Sequence, residues 1–246
     1  MQKHIPNFIT LLNLLSGLLS IYFATSGNLQ LAGMMVFVAA IFDFFDGFIA
    51  RLLHAKSAIG VQLDSLADMV SFGVAPAFVL FYTIKELTVI SGPEFLPFSA
   101  FLIPLFSALR LAKFNIDEEQ TTSFKGMPTP AVAILLASFP IMILGCLAES
   151  KGIYFDIVTN SYFLASVGFV SALLMVSSIP MFSLKFTSFG WRENQTRYIF
   201  ILLSIVFFAL LKVAAIPLII LLYLLLSIVQ LLFEHKEDVN SSSEDA

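Results

Sequence analysis

The sequence is short of cysteine, tryptophan and charge. Its 246 residues include one Cys and one Trp, and only 12% are Asp, Glu, Lys or Arg. The single cysteine, Cys146, excludes an intrachain disulfide, and its apolar surroundings assign it to packing. The formal net charge is −4, so no global basic field exists to attract nucleic acid. Internal repeats are absent, which argues against a transporter built from inverted halves. The N-terminal run lacks an A-x-A cleavage pattern and reads as a retained first span.

What is present is apolar. Hydrophobic residues make up 59% of the chain, 27 of them Phe. Soluble domains are about 45–50% apolar and about 25% charged. Apolar runs near the length of a membrane-crossing helix, about 20 residues, recur along the sequence. The pattern predicts an all-α polytopic membrane protein of about eight transmembrane helices, over 6–25, 29–53, 60–85, 95–115, 128–148, 157–178, 195–212 and 214–233. Lys212 and Pro217 divide the last apolar run in two. Residues 1–233 are expected to form one membrane-embedded catalytic domain, and the Ser- and acid-rich 234–246 a disordered cytoplasmic tail. With eight spans, ten Lys and Arg fall on one side: Lys3, Arg51, Lys56, Arg110, Lys113, Lys125, Lys185, Arg192, Arg197 and Lys236. Only Lys85, Lys151 and Lys212 fall on the other. This bias predicts cytoplasmic termini in a cell inner membrane, with the end of span two and the start of span three on the cytoplasmic side.

Four carboxylates gather at that end: Asp43, Asp46, Asp64 and Asp68. On a helix, with Asp43 at zero, Asp46 falls at about −60°, Gly47 at about +40°, Ala50 at about −20° and Arg51 at about +80°. Gly60, Asp64 and Asp68 lie within about 80° of one another on the next helix, with Ser71 and Ala75 continuing their stripe. An ionised Asp within a span costs roughly 2.5–3.5 kcal/mol on insertion scales, and four together also repel. One or two divalent cations would neutralise them, and all-oxygen ligands select Mg²⁺ or Mn²⁺, or else Ca²⁺. Two such ions suit an in-line phosphoryl displacement. Gly47, Ala50 and Gly60 leave room for a ligand or a neighbouring backbone, and Arg51 suits a phosphate oxygen. Taken singly, the small residues read as helix packing and Arg51 as a topology anchor. The combination argues for a site.

The spacing from Asp43 to Asp68 is D-x2-D-G-x2-A-R-x8-G-x3-D-x3-D over 26 residues. It resembles the CDP-alcohol phosphatidyltransferase family without departure. The resemblance implies that Asp43, Asp46 and Asp64 chiefly hold two metal ions, Mg²⁺ or Mn²⁺. Asp68 would help bind metal and deprotonate the acceptor hydroxyl. Gly47, Ala50, Arg51 and Gly60 would line a CDP pocket, with Arg51 on the diphosphate. It also implies a homodimer in the lipid bilayer. Asn7, Thr10 and Asn13 share one face of span one, and the resemblance assigns that region, Asn7 and Thr10 above all, to the nucleotide pocket.

Two further stretches bear on the acceptor alcohol. Asp64 to Ala77 is similar to the third span of the family's bacterial and archaeal phosphatidylserine synthases. Arg110-Leu-Ala-Lys113-Phe-Asn115, followed by Phe124-Lys125-Gly126-Met-Pro128-Thr-Pro130, is similar to an R-x2-R-F-N and F-x-G-[LM]-P-[ST]-P signature of the same branch. Lys113 stands where Arg is usual, keeping the charge and losing the fork. Arg110, Lys113 and Lys125 could hold the carboxylate of an amino-acid acceptor, or serve as positive-inside anchors. The branch implies phosphatidyl transfer from CDP-diacylglycerol to L-serine. Glycerol 3-phosphate or an inositol compound would also suit a basic cluster. A cation transporter would need a polar path across the whole membrane, and the remaining spans supply almost no charge.

Overall fold

In a computed structural model of the chain, Gly27 at φ +80° ends the first helix, α1 (His4–Thr25). Asn28 then caps the second, α2 (Leu29–Leu52), its Oδ1 accepting from Leu31 N at 3.1 Å. The turn folds the two helices back on each other, and Ser20 Oγ donates across to Ala32 O at 2.8 Å. The structure describes residues 4–55, 57–89, 92–116, 124–149, 153–182 and 190–244. Lys3, Lys56, Lys151 and Lys185, counted above for topology, lie outside them, as do the side chains of Cys146, Arg192 and Lys236.

The rest of the chain is again helical. α3 (Ala58–Asp68) passes through a π-helical turn, Met69–Val74, into α4 (Ala75–Thr88). A 3₁₀ turn (Leu96–Phe101) leads into α5 (Leu102–Ile116). After the short strand β1 (Phe124–Lys125) come α6 (Thr129–Glu149), α7 (Ile153–Val158) and α8 (Ser161–Val176). Strand β2 (Pro180–Met181) precedes α9 (Trp191–Leu211) and α10 (Ala215–Glu244). The only departure from the all-α expectation among the described residues is the two-residue antiparallel ladder of β1 and β2.

Among the described residues, five helical segments are long and apolar enough to cross a membrane: 4–25, 29–52, 58–88, 96–116 and 194–231. Two shorter apolar stretches, 129–145 and 161–176, accompany them. The last long segment breaks at Lys212, which takes φ +53°, giving the expected pair of spans. Pro217 sits in the first turn of α10, where its missing N–H deprives no carbonyl of a partner. α10 continues to Glu244, through the polar stretch whose composition predicts disorder. Extending a formed helix needs only local hydrogen bonds, not a core.

The sorting of side chains is that of a membrane protein. α1 buries Pro6, Thr10, Asn13, Ser16, Gly17 and Ser20, and exposes Phe8, Leu11, Leu15, Leu18 and Tyr22. Small and polar residues face the other helices while large apolar ones face outward. Small residues let backbones approach: a Cβ on Gly17 would lie 2.8 Å from the Cα of Ser71 in the π turn. The chain is a multi-pass membrane protein.

Two compact units divide it, where the sequence reading takes 1–233 as one domain. One comprises 1–116 and 128–176, the other 117–127 and 177–246. The first boundary, after Ile116, falls where an apolar run gives way to polar residues. The first unit is a helical bundle with its core around Val36, Ala39, Phe72, Ala75, Ala133 and Ala137. In the second unit, Phe182, Phe200 and Tyr223 cluster with ring centroids 4.8–5.7 Å apart. There Tyr223 Oη donates to Phe182 O at 3.0 Å.

Candidate active site

Ser57 caps α3, its Oγ accepting from Gly60 N at 3.1 Å. The cap directs α3 alongside α1. A Cβ on Gly60 would stand 3.0 Å from Asn7 Oδ1, so glycine allows this approach. One helical stretch further on, Asn13 Nδ2 donates to Asp68 Oδ1 at 3.3 Å, and Ser71 Oγ donates to Asn13 O at 3.0 Å. These contacts keep one parallel register. The stripe Asn7, Thr10, Asn13 runs beside the stripe Gly60, Asp64, Asp68.

α2 supplies the other two carboxylates. Asp43, Asp64 and Asp68 each offer an oxygen, and the three oxygens lie within 4.8 Å of one another. All three side chains are half-buried. Asp46 stands outside this group, in a cavity of about 210 Å³ that it shares with Asp64. Asn7, Thr10, Gly47, Ala50, Arg51 and Gly60 line the same cavity. It therefore joins all six residues expected around a CDP moiety to two of the four aspartates. Arg51 folds back along its own helix, its Nη1 3.5 Å from where a Cβ on Gly47 would be.

The donor set fits a hard divalent cation. It is all oxygen, it concentrates like charge in a poorly solvated place, and the buried Oδ2 of Asp46 has no hydrogen-bond partner. Carboxylates so close repel unless a cation lies between them. The arrangement can hold a cation beside a pocket for a phosphate-bearing group, with Arg51 at the rim.

α5, which carries Arg110, Lys113 and Asn115, also approaches this end. α5 packs antiparallel on α3 and the π turn: Ser107 lies against Gly73, and Asn115 exchanges hydrogen bonds of 3.1 and 3.2 Å with Ser65. In that register Arg110 stands level with Val70, about 3 Å along the axis from Asp68. Arg110 is half-buried, and its Nη1 donates to Thr129 Oγ1 at 3.1 Å, linking the two signature stretches. Lys113 is exposed. Lys125 is exposed on β1, in the second unit.

Three features lay beyond the sequence reading. One is the split of the aspartates into a group of three and a separate Asp46. Another is the π turn directly after Asp68, a kind of distortion that recurs at functional sites. The third is the bond from Asn13 to Asp68. Its signal was legible, since Asn13 is the third step of the stripe whose first two steps line the cavity. A second cavity, of about 400 Å³, lies in the first unit at the opposite end of α1, between the Ser26–Asn28 turn, Thr83, Glu86 and Pro140.

Residues 3–170 match the family model described as CDP-alcohol phosphatidyltransferase. A Helicobacter pylori (strain 26695) protein named CDP-diacylglycerol–serine O-phosphatidyltransferase is 32% identical over 230 residues, covering 93% of this chain and 91% of that protein. A Bacillus subtilis protein of the same name is 39% identical over 151 residues, 58% of this chain and 81% of the relative. The archaetidylserine synthase of Methanothermobacter thermautotrophicus is 30% identical over 168 residues, 66% of this chain and 68% of the relative.

Proposed function

From the premise that the chain belongs to the CDP-alcohol phosphatidyltransferase family, we propose that it transfers the phosphatidyl group of CDP-diacylglycerol to the hydroxyl of L-serine. The products are phosphatidylserine and CMP. The observation that carries this reading is the adjacency of the carboxylate group to a cavity lined by Asn7, Thr10, Gly47, Ala50, Arg51 and Gly60. The relatives' names support serine as the acceptor.

Asp43, Asp46, Asp64 and Asp68 would hold two divalent cations, Mg²⁺ or Mn²⁺. When bound, these supply charge neutralisation and polarisation of the phosphoryl oxygens. The CDP moiety occupies the cavity. The small surfaces of Gly47, Ala50 and Gly60 admit it, and Asn7 and Thr10 offer hydrogen bonds. The Arg51 guanidinium holds the diphosphate. Asp68 accepts the proton of the serine hydroxyl as its oxygen attacks the β-phosphorus. A new P–O bond to serine forms, and the bond to the bridging oxygen breaks. CMP departs with that oxygen, its developing charge held by Arg51. Arg110, with Lys113, attracts the serine carboxylate. The site opens to the cytoplasm, where serine and CMP are soluble, while the diacyl chains stay in the bilayer. The functional form is a homodimer, by analogy with the family.

The test is CMP release by the purified chain with CDP-diacylglycerol, Mn²⁺ or Mg²⁺, and serine, glycerol 3-phosphate or inositol phosphate in parallel. Serine-dependent release, abolished by a chelator, is expected. Release with another acceptor and none with serine would reject the assignment.

A further inference from the structure

Asn13 is fully buried in the middle of α1, yet its side chain is only half satisfied. Its Nδ2 reaches Asp68 Oδ1 at 3.3 Å, and its Oδ1 has no hydrogen-bond partner. The amide cannot usefully be turned round, because that would set Oδ1 against a carboxylate oxygen and leave the N–H groups unused. A buried acceptor without a donor lowers stability, and an apolar residue of similar size would avoid the cost. Nor is this amide needed to hold α1 to the π turn. The bond from Ser71 Oγ uses the main-chain oxygen of Asn13, and the close packing there belongs to Gly17 and Ser71. The side chain of Asn13 has one partner among the described residues, Asp68.

We propose that Asn13 is a positioning residue for Asp68. It fixes the carboxylate by donating to Oδ1, which turns the remaining oxygen toward the acceptor hydroxyl. Without that bond Asp68 loses its donor from α1, and fewer encounters find the carboxylate aligned. Asn13 touches no substrate: it is one step deeper than Asn7 and Thr10 and does not line the cavity. It therefore acts on turnover rather than on nucleotide binding. The inference rests on Asp68 being the base.

The experiment uses the full chain in vesicles. Asn13→Ala removes the amide, and the near-isosteric Asn13→Leu removes it while keeping the volume and adding no charge. Both are expected to lower kcat about 10–100-fold, the usual scale for residues that orient a ligand or base. The KM for CDP-diacylglycerol should stay within about twofold, and the unfolding temperature of Asn13→Leu should not fall. Ser71→Ala deletes the adjacent bond between the same two elements and should keep kcat within about twofold. Retained kcat in either Asn13 variant, a raised KM for CDP-diacylglycerol with kcat unchanged, or an equal loss in Ser71→Ala would overturn the proposal. So would a lowered unfolding temperature in Asn13→Leu, which would make the amide structural. Turnover by the unmodified chain, and its loss in Asp68→Asn, report on the function itself. The Asn13 series reports on the positioning alone.

Discussion

Two cavities open at opposite ends of α1, and the larger carries the poorer chemistry. The one at the α1–α2 turn has about 400 Å³ and a single acidic side chain, Glu86. The one near the start of α1 has about 210 Å³ and joins Asp46, Asp64 and Arg51. Both lie among helices of the first unit that pack through small residues, so volume and packing style do not separate them. Charge does. Near the turn, Thr83 is occupied by its own helix, donating to Val79 O at 2.7 Å. Near the start of α1, Asp46 has a buried oxygen with no partner, and three more carboxylates converge close by. Unmet polar capacity inside a membrane is expensive, and it marks the end where a ligand belongs.

The sharpest way to break this comparison is Asp68→Asn. It keeps the shape of the side chain and removes its ability to take a proton. Serine-dependent CMP release should fall about 10²–10⁴-fold, with expression and unfolding temperature little changed. Near-normal turnover would remove Asp68 as the base.

Arg51 comes next. A hydrogen bond to a charged group contributes about 1.5–3 kcal/mol, so Arg51→Ala should lower kcat/KM for CDP-diacylglycerol about 10–100-fold. Arg51→Lys should recover part of it, since the charge stays and the fork goes. If the alanine variant showed an altered KM only for serine, Arg51 would not be on the diphosphate.

Gly60→Ala tests the fit of the cavity. Its Cβ would press on Asn7 Oδ1 and Ser57 Oγ, each 3.0 Å away. Overpacking costs about 1–3 kcal/mol, or about tenfold in kcat/KM if the strain falls on the bound state. Unchanged kinetics would show that α1 and α3 can part here without consequence.

The smallest effect is expected at the other cavity. Glu86→Gln should leave kcat and both KM values within about twofold, as for most exposed substitutions. A large loss there would tie the far end of α1 to the reaction.

The bilayer reading, the spans and the acidic site were legible in the sequence because each depends on local chemistry. Apolar runs of fixed length need no partner to be recognised, and the break at Lys212 with Pro217 close behind it follows from backbone rules. The 26-residue spacing from Asp43 to Asp68 puts its residues on two helical stripes before any packing is known. The division into two units was harder to read, since hydropathy records what is buried and not which helices are buried together. The ladder of Phe124 and Lys125 with Met181 and Pro180 was illegible because its partners are distant in sequence and each strand has only two residues.

The sequence by itself determined that four aspartates lie in membrane helices and that something must offset their charge. Desolvation is a property of residue type and environment, and composition supplies both. Only the tertiary structure decided how they divide. Asp43, Asp64 and Asp68 converge, Asp46 turns into the cavity beside Arg51, and Asn13 reaches Asp68 from another helix. The periodicity of a helix fixes which face a side chain takes. It does not fix how far one helix slides or turns against the next, and that is set by the close contacts at Gly17 and Gly60 and by the π turn after Asp68.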